Sequence, residues 1–189
     1  MDLVIDIETL DTEVTSLILS AAVVAFDPAG NDTPESFLAS ENNFYTSFSL
    51  HESLMMDFSI SRSTVEFWNK QSINALAEAA AQKTPLVESF IELSAFIQKF
   101  PKARLWANSP SFDISILRSA FKKFNLRFPV EFWAERDIRT IKAICEVKLD
   151  FPSTLTKHNP MHDAIYEALI VQQGYANIKA ANKPPLPLL

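Results

Sequence analysis

The first apolar segment of the chain alternates its side chains with a period of two. Successive residues of a β-strand point to opposite faces, so residues 2–9 predict a strand with Ile5 and Ile7 on one face and Asp6 and Glu8 on the other. Two neighbouring carboxylates repel each other. A divalent metal ion with oxygen ligands would compensate for this repulsion, and a solvated strand end is the alternative interpretation.

Two further strands are predicted before the pattern changes. The apolar run 17–26, which ends at Asp27-Pro28, predicts a central strand that is covered on both faces. The alternating segment 44–50 predicts a third strand, after a polar, acidic loop at 29–43. Three consecutive strands favour an antiparallel meander.

The rest of the chain predicts helices, separated by short strands. A predicted helix begins near Ser63 in a capping box with Glu66, a short helix follows at 72–82, and Thr84-Pro85 begins a third helix that ends at Phe100. A strand at 103–107 precedes a helix that Ser109-Pro110 begins. The last predicted elements are a short strand at 128–133, a helix capped by Asp137, an irregular segment at 149–157 and a helix at 161–178. This order predicts an α/β fold, a mixed sheet flanked by helices.

Length and composition fit one domain. The 189 residues are 48% hydrophobic and include 15 Phe, enough for a full core. We place the domain at residues 1–180 and a Pro-rich tail at 181–189. The tail predicts polyproline II, as a loose terminus or as a ligand for a proline-binding module.

Composition also limits the kind of site and the cellular location that we expect. With only 2 Gly, the chain has no glycine-rich phosphate loop. A net charge of −6 disfavours a module that grips duplex DNA along its backbone, but it is compatible with a metal-dependent enzyme. Cys145 is the only cysteine, and neither a signal peptide nor a membrane-spanning run is visible. We therefore expect a cytoplasmic protein without membrane attachment.

Three more residues with acid or base chemistry stand at telling positions. Asp113 and Asp163 fall in the first turns of two predicted helices, where each alone would only complement the helix dipole. His158 lies five residues before Asp163. Together with Asp6 and Glu8, four carboxylates from distant segments can converge on two divalent ions about 3.5–4 Å apart. A nearby histidine is suited to act as a general base.

Three segments resemble the three exonuclease motifs of the DEDDh 3′–5′ exonucleases. They are residues 6–9, 111–117 and 158–164, and the spacing His158-x-x-x-x-Asp163-Ala164 is the most specific of these features. Within that superfamily, segments 67–72, 106–108 and 135–141 are similar to the exonuclease VIII-like branch, which includes phage nucleases and a bacterial exoribonuclease. The resemblance implies an RNase H-like fold.

The resemblance also implies roles for the acidic residues. Asp6, Glu8 and Asp163 would bind a first Mg²⁺ or Mn²⁺ ion, and Asp6 would bridge to a second ion held by Asp113. Glu8 would therefore be a ligand of the ion that activates water. His158 would be the general base.

Several assignments are left with alternatives. His162 is a rival base, although it lacks the five-residue spacing. Arg136 and Arg139 would meet phosphate or pair with an acid such as Asp137. The substrate-binding residues that the resemblance implies are Thr9, Leu10, Trp68, Gln71, Asn108 and Phe112. Core packing is the alternative role for Trp68 and Phe112.

The implied activity is metal-dependent 3′–5′ exonucleolytic hydrolysis of phosphodiester bonds. The partner would be the single-stranded or overhanging 3′ end of DNA or RNA, and the products nucleoside 5′-monophosphates. Two other functions stay open: a catalytically silent nucleic-acid-binding or scaffold protein, and a hydrolase of short oligonucleotides or free nucleotides. The choice between DNA and RNA is open, because it depends on contacts to the 2′-OH. A homodimer is possible.

Overall fold

A mixed β-sheet forms the centre of the protein. The computed structural model describes residues 1–71, 77, 81 and 84–181. In these residues the sheet contains β1 (Asp2–Thr9), β2 (Ile18–Phe26), β3 (Asn43–Ser47), β4 (Leu105–Ala107) and β5 (Glu135–Asp137), in the order β3-β2-β1-β4-β5. The first three strands pair antiparallel, and β4 and β5 continue the sheet in parallel to β1. The predicted mixed sheet is confirmed.

Helices cover both faces of this sheet. They are α1 (Pro34–Leu38), α2 (Leu50–Leu54), α3 (Arg62–Trp68), α4 (Leu86–Gln98), α5 (Asp113–Lys123), α6 (Ile138–Ile144) and α7 (Pro160–Ala181). One face packs against α4 and α5 around Leu3 and Ile5, and the other packs against α6 and α7 around Val4 and Val24. Each of these side chains is at most 1% exposed, and burial of one such side chain stabilises the fold by about 1.5–3 kcal/mol.

The central strand β1 carries the predicted alternation. Leu3, Ile5 and Ile7 belong to the core beneath α4 and α5, so Asp6 and Glu8 point to the opposite face, towards α7. The register between β1 and β2 shifts between Glu8 and Thr9. Such a bulge re-aims side chains next to it, and here it lies at the acidic end of the strand.

Several helices and strands begin or end at other residues than predicted, because serine and threonine hydroxyl groups cap helices there. The polar loop predicted at 29–43 contains α1, which Thr33 caps, and the strand predicted at 44–50 stops at Ser47 because Ser49 caps α2. The capping box at Ser63 is also wrong. Ser61 caps α3 by accepting a hydrogen bond from the backbone N–H of residue 64, and Ser63 lies inside the helix.

Other boundaries differ because of tertiary contacts. Thr84 does not cap α4; Pro85 stands at the cap position, and the Leu86 N–H donates to Glu52 Oε2 at 2.8 Å. Ser109-Pro110 begins a turn, and α5 starts only at Asp113.

The last third of the chain needs one larger correction. The strand predicted at 128–133 is wrong: residues Phe132–Ala134 form a 3-10 turn, and β5 follows at Glu135. Asp137 caps α6 as predicted, and the final helix extends slightly beyond its predicted bounds. The predicted helix 72–82, apart from isolated positions, and the predicted tail beyond Ala181 lie outside the described residues. Among the described residues, none of the helices combines the length and apolar composition that a membrane crossing requires.

Candidate active site

An acidic cleft opens at the carboxyl ends of β1 and β4. Both strands run parallel, so the residues that follow them emerge at the same edge of the sheet. The cleft has a volume of about 400 Å³. It is lined by Asp6, Ile7, Glu8, Asn108, Phe112, Arg139, Phe151, Lys157, His158, Asp163, Tyr166 and Glu167.

Three of the predicted functional residues approach one another closely in this cleft. Glu8, His158 and Asp163 each offer one ligand atom, and these atoms lie within 4.8 Å of one another. Carboxylate oxygens and an imidazole nitrogen at such distances fit the coordination of a divalent ion. The structure therefore brings together residues separated by about 150 positions in the sequence.

Asp113 lies beneath the cleft rather than on its wall. Its side chain is 3% exposed, and its Oδ1 accepts a long hydrogen bond of 3.4 Å from the backbone N–H of Ile7. Because Ile7 separates Asp6 from Glu8, this contact holds the first residue of α5 against the acidic end of β1.

The loop before α7 positions both His158 and Asp163. Asn159 caps the helix: its Oδ1 accepts from the backbone N–H groups of Met161 and His162, at 3.1 and 3.2 Å. Pro160 is the first helical residue, which suits its fixed φ. His158 precedes the cap with φ of 60°, a left-handed conformation that histidine adopts more readily than most residues.

The two histidines have different surroundings. His158 lies beside Glu8 and Asp163, with its ring edge-on to Phe67 at 5.0 Å between centroids. The Nδ1 atom of His162 accepts a hydrogen bond of 2.9 Å from the backbone N–H of Thr156, and this residue does not line the cleft. Of these two histidines, His158 is therefore the one that lies at the cleft.

Burial and neighbouring charge raise the pKa values of the carboxylates in the site. Burial, followed by the charges of Asp163 and Asp113, raises the pKa of Glu8 to about 8. Burial raises the pKa of Asp113 to about 7, against hydrogen bonds and Arg139, which lower it. The pKa of Asp6 is also raised, by burial first and then by four neighbouring carboxylates, of which Glu167 acts most strongly. Crowded carboxylates of this kind favour a bound cation.

Glu167 is a site residue that the sequence analysis missed. It is 4% exposed, and its Oε2 atom is buried without a hydrogen-bond partner in the described part of the chain. Burial, followed by the charge of Asp113, raises the pKa of its carboxyl group. The signal was present in the sequence, because Glu167 follows Asp163 by four residues and so falls on the same face of a helix.

Comparison with known proteins assigns the chain to a family. Residues 1–175 match the profile of the 3′-5′ exoribonuclease Rv2179c-like domain. The chain belongs to this family. A curated relative, an exodeoxyribonuclease of Enterobacteria phage T4, is 26% identical over 202 aligned residues that cover 90% of this chain and 87% of the relative. The predicted 3′–5′ exonuclease is confirmed, and so is the resemblance to exonucleases that suggested it.

Two solved structures share the fold of this Rv2179c-like domain. Pop2p of S. pombe, in its Mg²⁺- and Mn²⁺-bound form, has a TM-score of 0.53 at 10% identity, covering 95% of this chain and 83% of Pop2p. The zinc-bound E. coli ExoI–ssDNA complex has a TM-score of 0.52 at 14% identity, covering 95% of this chain but only 40% of ExoI. At these identities they bear on the fold alone, and they confirm that it is RNase H-like.

Three of the predicted substrate contacts are buried in this Rv2179c-like domain. Trp68 is 2% exposed and its Nε1 donates to the Thr9 carbonyl at 2.8 Å. Thr9 uses its hydroxyl to reach the carbonyl of Asp11, and Leu10 packs in the small core with Trp68. The structure supports the core-packing alternative for Trp68, which fixes the end of β1. Its neighbour Phe67 is instead 38% exposed and faces His158.

The other predicted contacts remain accessible. Asn108 and Phe112 line the cleft, although Phe112 also packs against the main core. Gln71 is exposed just after α3 and outside the cleft. The guanidinium of Arg139 lines the cleft and bonds Asn108 rather than Asp137, whose carboxylate caps α6.

Proposed function

We propose that this exonuclease removes nucleotides one at a time from single-stranded or overhanging 3′ ends of DNA or RNA and releases nucleoside 5′-monophosphates. Its cofactors would be two Mg²⁺ or Mn²⁺ ions, held by Asp6, Glu8, Asp113 and Asp163. The observation that carries the proposal is the approach of Glu8, His158 and Asp163 to within 4.8 Å of one another beside Asp6.

The donor set fits hard divalent cations. The predicted ligands are all carboxylates, and oxygen is the ligand that Mg²⁺ and Mn²⁺ prefer. Burial raises the pKa values of Asp6, Glu8 and Asp113, so that a cation is needed to stabilise their ionised forms. When bound, the ions would activate the attacking water and neutralise the charge that develops on the leaving oxygen.

The residues around this centre have distinct tasks. Asp6 would contribute to holding both ions, because four other carboxylates lie close enough to affect its charge. A ring nitrogen of His158 accepts the proton of the attacking water, since the imidazole faces Glu8 and Asp163. The backbone N–H of His158 donates to Asp163, so that the base and the ligand move as one unit.

Cationic and aromatic groups at the cleft supply contacts for a polyanion. Arg139 and Lys157 are exposed and line the cleft, where they can meet phosphates. Phe67 offers an exposed ring for stacking with a terminal base, a contact that does not depend on sequence. These two cations, together with the proposed metal ions, would offset the negative charge of the cleft and of a chain with a net charge of −6.

Names of similar proteins do not decide between DNA and RNA. The family is described as exoribonucleases, whereas the T4 relative is an exodeoxyribonuclease. The proposal therefore includes both polymers, and DNA and RNA oligonucleotides of the same sequence should be compared directly.

The decisive experiment follows shortening of 5′-labelled DNA and RNA oligonucleotides with 3′ tails, in Mg²⁺, Mn²⁺ or EDTA. We expect a ladder of shortened products, with mononucleotides released, only when a divalent ion is present. Glu8→Gln should abolish the ladder, and the exposed control Glu92→Gln on α4 should leave it unchanged. No shortening by the wild type, or equal shortening by Glu8→Gln, would falsify the proposal.

The same assay separates the other functions. Binding of a 3′ end without metal-dependent cleavage would indicate a silent binding or scaffold protein, and faster cleavage of a dinucleotide than of a long oligonucleotide would indicate a short-oligonucleotide hydrolase. The homodimer stays a prediction, to be checked by light scattering of the full chain.

A further inference from the structure

We propose that Glu167 is a fifth carboxylate ligand of the metal centre, which reaches the second ion, the one assigned to Asp6 and Asp113, from the second turn of α7. This inference rests on the proposed function, since it deepens the same site. It adds to the predicted ligand set a residue that lies outside the three motif segments.

The first argument is the state of the Glu167 side chain. It is 4% exposed, and one of its oxygens, Oε2, is fully buried without a partner in the described part of the chain. Buried polar atoms are nearly always hydrogen-bonded, and an exception calls for a missing partner such as an ion. Glu167 lines the same cleft as Asp6, Glu8 and Asp163, so its carboxylate lies at a site that already suits cations.

The second argument is the position of Glu167 on its helix. It follows Asp163 by one helical turn, so both carboxylates project from one face of α7 onto the acidic end of β1. Of the carboxylates around Asp6, Glu167 exerts the strongest electrostatic effect. Glu167 is therefore placed to share an ion with Asp6, whereas Asp163 is grouped with Glu8 and His158.

The third argument is that the Glu167 carboxylate is held in place from one side. The side chain of Asn108 hydrogen-bonds it. Arg139 Nε donates to Asn108 Oδ1 at 3.1 Å, and Nη2 donates to the Asn108 carbonyl at 3.2 Å. Since arginine only donates, the amide NH₂ of Asn108 is the group left to face Glu167. Hydrogen bonds from residues around a metal site commonly orient the metal ligands. Asn108, itself held by Arg139, orients the Glu167 carboxylate in this way, so Asn108 and Arg139 are positioning residues.

The alternative is that Glu167 is only a buried structural residue, and metal binding distinguishes the two roles. The experiment measures Mn²⁺ affinity and stoichiometry by calorimetry, and melting temperature with EDTA or Mn²⁺, for wild type, Glu167→Gln, Glu167→Asp and the exposed control Glu92→Gln. Gln keeps the shape of the side chain and one acceptor oxygen, but it replaces the other oxygen with an NH₂ donor and removes the charge.

We expect Glu167→Gln to melt at or above the wild-type temperature in EDTA, because it removes repulsion from Asp6. In Mn²⁺ the order should reverse. The Mn²⁺ affinity of Glu167→Gln should fall by about tenfold or more, as for disruption of a ligand environment, whereas Glu167→Asp should retain part of it. A tenfold loss corresponds to about 1.4 kcal/mol of metal-linked stability.

Other outcomes overturn the inference without touching the proposed function. Wild-type affinity and stoichiometry in Glu167→Gln would show that the residue is no ligand. Loss of secondary structure or a lower melting temperature in both EDTA and Mn²⁺ would show a structural role. If the wild type itself binds no Mn²⁺, the proposed metal-dependent function fails together with the inference.

Discussion

Without divalent ions, the stability of this protein should fall as the pH rises from about 5 to about 7. Asp113 carries the reasoning, because its pKa rises from an ordinary value of 3.8 to about 7 through burial. In this interval the unfolded chain has already released the proton of Asp113, whereas the folded protein still holds it. The folded state binds more protons, so the free energy of unfolding decreases with rising pH.

The magnitude follows from the two pKa values. Between pH 5 and pH 7 the difference in proton binding at Asp113 amounts to about 2 kcal/mol, since one pKa unit corresponds to about 1.4 kcal/mol. For a domain of this size, about 2 kcal/mol lowers the melting temperature by about 4–8 °C. Glu8, with its pKa raised to about 8, acts in the same direction and extends the interval to higher pH. A saturating divalent ion should remove most of this loss, because it binds the ionised carboxylates.

The assay is thermal unfolding at several pH values, in EDTA and in Mg²⁺, for wild type and Asp113→Asn. The variant removes the titrating group, and its amide oxygen can still accept the hydrogen bonds from the backbone N–H groups of Ile7 and Asn108. The difference between the two proteins therefore isolates Asp113. A difference that does not change with pH in EDTA would refute the reasoning, as would equal pH dependence with and without Mg²⁺.

Three substitutions test the surroundings of the centre. His158→Asn, which tolerates the left-handed backbone, should lower kcat by about 10²-fold or more while the Mn²⁺-induced rise in melting temperature persists; loss of that rise would make His158 a metal ligand instead of the base. Trp68→Phe should destabilise the fold by about 1–3 kcal/mol in denaturant unfolding, because the buried Thr9 carbonyl loses its donor; unchanged stability would contradict this. Phe67→Ala should raise KM for oligonucleotides by about tenfold through lost stacking, and an unchanged KM would exclude the contact.

Local patterns in the sequence were sufficient to predict the core of the site. The alternation in β1 assigned Asp6 and Glu8 to one face, and that face does point to α7. Asn159-Pro160 begins a helix by local capping, which fixes His158 and Asp163 relative to each other. Such features depend on residues that are close in the sequence, so they can be predicted without knowledge of the fold.

Long-range packing decided what the sequence could not predict. Phe67 and Trp68 are adjacent, and only the position of α3 against the β1 end determines that the tryptophan is buried and the phenylalanine exposed. The spacing of Glu167 from Asp163 indicates a shared helix face, but only the fold shows that Asp6 and Asn108, more than 50 residues away, lie around the Glu167 carboxylate. The edge strand β5 was misplaced for the same reason, because its three residues form a strand only through pairing with β4.

The mixed sheet is itself a condition for this site. Because β4 runs parallel to β1, Asn108 and the start of α5 emerge beside Glu8 at one edge of the sheet. An antiparallel β4 would direct Asp113 towards the opposite edge, about 10 Å away for a strand of three residues. The antiparallel partner β2 contributes differently: its register shift falls between Glu8 and Thr9, where the strand must turn a carboxylate towards α7. Topology thus concentrates negative charge at one point, and the stability lost there without ions is what binding of ions can restore.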